Sequence, residues 1–144
     1  MEPGLFAKVF PAETGGNAAG CKAMDLIMLK SKLHRARVTE SVLEYEGSLA
    51  IDQDLLDAVK IRPYEKIMVS VLENGNRFET YAIPAERGSR TFGLNGPTSH
   101  LASVGDHIVV FAFASVPERD VPTHKPLILI LDEDNRPVGG LKKV

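Results

Sequence analysis

Tyr45-Glu46-Gly47-Ser48-Leu49-Ala50-Ile51-Asp52 stands between a strand-like run and a helix start, and the rest of the chain is organised around it. Glycine tolerates backbone conformations that a Cβ forbids, so Gly47 permits a sharp local bend. Ser48 then sets a hydroxyl beside the carbonyl that precedes it. If the fold bends that peptide, the Ser48 oxygen can attack the Gly47 carbonyl and turn an amide into an ester. A Gly-Ser pair is also a common turn signal. The dipeptide therefore takes its meaning from the residues around it.

The chain has 144 residues, enough for one domain that buries roughly two-thirds of its unfolded surface. Seventeen basic and nineteen acidic side chains give a net charge of −2, which argues against nucleic-acid binding by bulk charge. Cys21 is the only cysteine, so an intramolecular disulfide and a cysteine-based metal cluster are both excluded. That usage fits a reducing cytoplasm. No apolar run approaches the ~20 residues of a membrane span. Residues 1–23 hold Gly4, Gly15, Gly16, Gly20, Pro3 and Pro11 without a sustained period. They are expected to be a disordered extension, and Met24 is a second candidate start. Glu2 and Pro11 disfavour a secretory signal.

From Met24 to Thr39 the chain alternates as a strand does. Leu29, Ser31, Leu33 and Arg35 are expected on one face, Lys30, Lys32 and His34 on the other. Lys30, Lys32, Arg35 and Arg37 read either as a solvated strand face or as a cationic surface facing an acidic small molecule. Ile51, Leu55, Leu56 and Val59 share one face of a short helix, with Asp52 as its cap and Pro63 as its stop. Lys66–Leu72 and Arg77–Ile83 read as a hairpin about Asn74-Gly75. Arg77, Glu79 and Tyr81 would then face one way, Phe78 and Thr80 the other. Further strands are expected at Thr91–Leu94, His107–Ser115 and Pro126–Leu131, with a turn at Ala85–Ser89, a break at Asn95-Gly96-Pro97 and a helical turn within Ser99–Ala102. The fold class is mainly β with short helices, a small closed barrel of six strands.

Common chemistries lack their signatures. His34, His100, His107 and His124 show no zinc-ligand spacing, so no metal is expected. No GxxxxGK[ST], GxGxxG or GxSxG run is present.

Lys32-Leu-His34-Arg35, Tyr45-Glu-Gly47-Ser48, Ala50-Ile-Asp-Gln-Asp54, Thr80-Tyr81-Ala-Ile83, Glu86-Arg87-Gly88-Ser89, Asn95-Gly96 and Ser103-Val-Gly-Asp106 occur in one order. In that order and spacing they resemble the pyruvoyl-dependent aspartate 1-decarboxylase family, over about residues 24–135. The resemblance implies a double-psi β-barrel and a homotetramer with active sites between subunits. It implies a proenzyme that cuts itself between Gly47 and Ser48, giving 1–47 and 48–144, with Ser48 converted to a covalent pyruvoyl group. The implied reaction takes L-aspartate to β-alanine and CO2 through a Schiff base, supplying pantothenate synthesis in the cytoplasm. Decarboxylation leaves a carbanion that needs an electron sink, which no unmodified side chain offers.

Residue by residue, the resemblance implies Arg77 as the binder of a substrate carboxylate, a task suited to a guanidinium. It places Lys32 near substrate, makes Thr80 an aid to cleavage and a substrate contact, and makes Tyr81 the proton donor to the carbanion. Asn95, Gly96, Pro97 and Thr98 match the ligand-contacting loop. The family commonly has Gly-Ala-Ala there, and Pro97 has no N–H to donate. A regular strand also points Thr80 and Tyr81 to opposite sides. Both reach one site only through a bulge, or by serving sites in different subunits.

Other readings stay open at this point. An N-terminal nucleophile hydrolase also exposes a serine by self-cleavage but keeps its amine. A swapped-hairpin barrel transcription factor would use Lys30 to Arg37 on DNA, with salt-dependent binding as its mark. Dependence of maturation on an activator protein is also left open.

Overall fold

Alternating apolar runs become strands and the Gly- or Pro-bearing joints become turns in a computed structural model that describes residues 24–144. The extension expected over residues 1–23 lies outside the described residues. In order come β1 (Asp25–Arg37), β2 (Glu40–Val42), β3 (Ser48–Asp52), α1 (Gln53–Val59), β4 (Lys66–Val71), β5 (Arg77–Ala85) and β6 (Phe92–Asn95). A 3-10 turn over Gly96–His100, β7 (His107–Pro117), a second 3-10 turn over Glu118–Thr123 and β8 (Leu127–Ile130) follow. The chain is mainly β with short helices, as expected.

Two compact units divide the described chain. The smaller takes Met24–Leu26 and Ser115–His124. Within it the Glu118 N–H donates to the Met24 carbonyl at 2.9 Å, and Ser115 donates to the Asp25 carboxylate at 3.4 Å. The larger, Ile27–Ala114 with Lys125–Val144, holds the candidate site. Its core is built from Leu33, Leu49, Ile51, Leu55, Leu56, Phe92, Leu94 and Ile108, all buried.

Among the described residues eight strands form one sheet in the order β2-β6-β3-β5-β4-β7-β1-β8. The end strands do not pair, so the sheet is open where a closed six-stranded barrel was expected. The physical reason lies at both ends. β2 is three exposed residues long. β8 has its free edge taken by the chain beyond it, where the N–H groups of Val138 and Lys142 donate to the carbonyls of Ile130 and Ile128 at 2.8 Å each.

Two expectations shift locally. Ser48–Asp52 is a fully buried strand, so Ile51 belongs to β3 and the helix begins at Gln53. β3 is held on both sides, parallel to β5 and antiparallel to β6. That central position wins over the helical spacing of Ile51. Asp52 does cap α1, accepting from the Asp54 N–H at 2.8 Å. It also accepts from Gly88 and Arg90 N–H groups, and these hold its carboxyl below the ordinary range although burial pushes the other way. In β1, Ser31 and Leu33 share a buried face as their spacing predicts, but Arg35, expected on that face, is exposed, and Ala36 and, just beyond the strand, Val38 are buried instead. Arg35 takes a φ of 64°, and this left-handed residue shifts the alternation by one position.

Candidate active site

Ser48 begins β3 opposite Asn95, the last residue of β6. This pairing places a buried hydroxyl, 1% exposed, against a buried amide. Asn95 Nδ2 donates to Ser48 Oγ at 3.0 Å, and Ser48 Oγ donates to the Glu46 carbonyl at 3.4 Å. The hydroxyl is thus held between the Asn95 amide and the carbonyl of Glu46, the residue before Gly47. Gly96 takes a φ of 64°, and a Cβ there would meet the Tyr45 carbonyl oxygen at 2.6 Å and the Gly47 nitrogen at 2.9 Å. Only glycine lets these two loops approach so closely. A Cβ on Gly47 would in turn come within 3.6 Å of Pro97 Cδ.

Pro97 lies in the first turn of the 3-10 helix, where an N–H would have no helical partner. Its fixed φ therefore costs the turn nothing. Thr98 Oγ1 donates to the Asn95 carbonyl at 2.8 Å, so that hydroxyl locks the loop internally. Ser48, Gly47, Asn95, Gly96, Pro97 and Thr98 come together in one small neighbourhood.

Lys32 and Arg77 form a second group. Lys32 Nζ lies 5.6 Å from the centre of the Phe111 ring and the Arg77 guanidinium carbon lies 5.5 Å from it. Arg77 Nε also contacts Met68 Sδ at 2.8 Å. Met68 stands opposite Phe111 across the β4–β7 ladder. Neither cation has a carboxylate partner among the described residues, whereas neighbouring Lys30 is tied to Glu65 at 2.8 Å. The expected cationic surface of β1 is thus divided: Lys30 is neutralised and Lys32 is not. Two residues past Lys32, His34 carries a buried Nδ1 without a hydrogen bond among the described residues. Burial, followed by Lys32, Arg35 and Lys142, lowers its pKa and favours the neutral ring.

β5 runs against β4 in unbroken register from Lys66↔Tyr81 and Ile67↔Thr80 to Ser70↔Arg77. No bulge intervenes, so Thr80 and Tyr81 point to opposite faces and Tyr81 shares its face with Arg77. The Tyr81 ring stacks on Tyr64, with centroids 6.3 Å apart and planes at 29°. The side-chain hydrogen bonds of Ser48 and Asn95 run to each other and to Glu46, and among the described residues none runs to Lys32, Arg77, Thr80 or Tyr81. Sequence spacing gave no sign of Phe111, Met68 or Tyr64, because the first two meet through strand register and Tyr64 through the turn before β4.

A sequence model of the family described as aspartate decarboxylase matches residues 24–138. A curated protein described as aspartate 1-decarboxylase, from Maricaulis maris (strain MCS10), is 50% identical over 116 residues, covering 81% of this chain and 96% of its own length. One of the same description from Halorhodospira halophila (strain DSM 244 / SL1) is 54% identical over 113 residues, 78% of this chain and 90% of its own. Another, from Geobacillus sp. (strain WCH70), is 51% identical over 109 residues, 76% and 86%.

Proposed function

This chain belongs to the aspartate decarboxylase family, and from that premise we propose that it cuts itself at Gly47-Ser48 and decarboxylates L-aspartate to β-alanine and CO2. The observation that carries the self-processing is the buried Ser48 hydroxyl, held by Asn95 beside the Gly47-Ser48 bond. In maturation the Ser48 oxygen attacks the Gly47 carbonyl carbon, and the peptide nitrogen leaves with the proton to become a free amine. Loss of the Ser48 α-proton then breaks its Cβ–O bond and releases residues 1–47 with a carboxylate. Water finally replaces the nitrogen of the dehydroalanine left on 48–144, and ammonia departs.

The residues at the cut fit the pyruvoyl group this leaves, since a buried hydroxyl, a flanking glycine and a polar amide are present together. That group supplies a ketone for the substrate amine and an electron sink for the carbanion. Arg77 and Lys32, lacking acidic partners, grip the carboxylates of aspartate, Arg77 by two parallel N–H donors. Thr80 assists the cut and touches substrate. The Tyr81 hydroxyl delivers the proton to the carbon that lost its carboxylate. Asn95, Gly96, Pro97 and Thr98 shape the ligand loop. Pro97 brings no N–H, so its neighbours carry the polar contacts.

Thr80 and Tyr81 face opposite ways in one chain, which supports a homotetramer whose sites lie between subunits. No helix among the described residues is long and apolar enough to cross a membrane. The product would feed pantothenate synthesis in the cytoplasm.

The purified protein is expected to convert L-aspartate without added pyridoxal phosphate or metal. Phenylhydrazine, which attacks carbonyls, should abolish turnover. A strict need for pyridoxal phosphate, or full activity after phenylhydrazine, would overturn the reading.

A further inference from the structure

We propose that Tyr64 is a positioning residue that holds the Tyr81 ring in its proton-delivering orientation. The proposal rests on the reading of Tyr81 as proton donor. Arg62-Pro63-Tyr64-Glu65 is a tight turn closed by the Glu65 N–H donating to the Arg62 carbonyl at 3.1 Å. Proline second and a positive φ third is the pattern of a type II turn, which favours Gly or Asn at the third position. Here that position is Tyr64, with a φ of 70°. A bulky residue held so is strained, and strain of this kind persists only where surrounding structure fixes it.

The surroundings do fix it. The Tyr64 N–H donates to the Ala82 carbonyl at 2.7 Å, and the Ala82 N–H donates to the Glu65 carbonyl at 3.0 Å. Glu65 is anchored a second time by Lys30 Nζ, which reaches both carboxylate oxygens at 2.8 Å. The Arg62 N–H also donates to Glu65 Oε1 at 2.9 Å. The turn is thereby bonded to β5 at the residue next to Tyr81.

Tyr64 gains little from burial, since it is 77% exposed. What it does gain is the Tyr81 ring, stacked at 6.3 Å. A strained and exposed aromatic, bonded on both sides to the strand that carries Tyr81, has one ring to act on. Its contact limits the rotation of that ring and so aims the phenol. Proximity and orientation are worth large rate factors when a proton must reach one carbon. The hydroxyl of Tyr64 has no part in this. The ring does.

The test uses fully cleaved protein. Tyr64→Gly is expected to keep or raise Tm, because glycine accepts the left-handed φ, while single-turnover decarboxylation falls about tenfold and KM stays within about twofold. Tyr64→Phe keeps the stack and should run within about twofold of the parent. Tyr81→Phe alone should fall at least ~10²-fold, and adding Tyr64→Gly to it should cost less than about twofold more. Equal losses from Tyr64→Gly in both backgrounds, or no loss in the parent, would overturn the positioning role alone. A Tyr81→Phe protein within a few-fold of the parent would overturn the proton-donor reading, and the positioning role with it.

Discussion

His107 shows how a single residue here is fixed by charge. Its Nδ1 lies 2.8 Å from Glu73 and its Nε2 lies 3.0 Å from Glu133, so one imidazole joins the β4–β5 turn to the Asp132–Asn135 turn. Its hydrogen bonds to Glu73 and then Glu133 raise its pKa above the ordinary 6.5. Glu73 is held low despite burial, because the His107 ring and N–H both bond to it, and His107 holds Glu133 low as well. A raised histidine contributes stability that is complete below pH 6.5 and is lost as pH climbs through its folded pKa. The lowered glutamates contribute above 4.5 and lose it as pH falls through theirs. Both contributions overlap between those two values. His107→Ala should therefore lower Tm most at about pH 5.5 and least at about pH 8.5. Thermal melts of the two proteins across that range check it, and an equal gap at both ends would contradict it. None of this was legible in the sequence, where His107 mattered only as a histidine without ligand spacing. Its partners lie 34 and 26 residues away along the chain.

Elements were legible where their own residues decide them. The β4–β5 hairpin forms about Asn74-Gly75 as expected, and Gly75 takes a φ of 74°. Helix α1 was legible in its cap, Asp52, and in the apolar Leu55, Leu56 and Val59, but Ile51, counted on that face, belongs to β3. A central strand buries every residue, so β3 lacks the alternation by which strands are recognised. β1 was misread past His34 because a left-handed Arg35 has no sequence mark. The loop after β6 is the element that the proposed cut would depend on. Gly96→Ala would put a Cβ 2.6 Å from the Tyr45 carbonyl and strain a left-handed φ, so the loop must move and carry Asn95 off Ser48. Self-cleavage should slow on the order of 10²-fold, with circular dichroism little changed. The fraction cut over time measures this. Cleavage at the parental rate would mean that the loop does not position Ser48.

At the scale of the whole molecule, register gathers what the linear chain scatters. Ser48 and Asn95 are 47 residues apart and meet because β3 and β6 pair. The order of motifs pointed to the family, which the comparisons bear out. The closed barrel of six strands did not follow: β2 is a short pairing that no hydrophobic pattern marks, and β8, expected as an apolar strand, stands at the sheet's end without pairing to β2. Thr80 and Tyr81 stand on opposite faces of one strand, so the roles proposed for them call for assembly with a second copy to bring both to one site. The proposed chemistry depends on one broken bond. Intact mass of the purified protein, followed during warming and beside Ser48→Ala, tests it most directly. Self-cleavage predicts residues 1–47 and a 48–144 fragment lighter by one ammonia than its serine-headed form, with Ser48→Ala remaining whole. A fragment that keeps its serine, an uncut chain that decarboxylates aspartate, or a Ser48→Ala chain split at the same bond would contradict it.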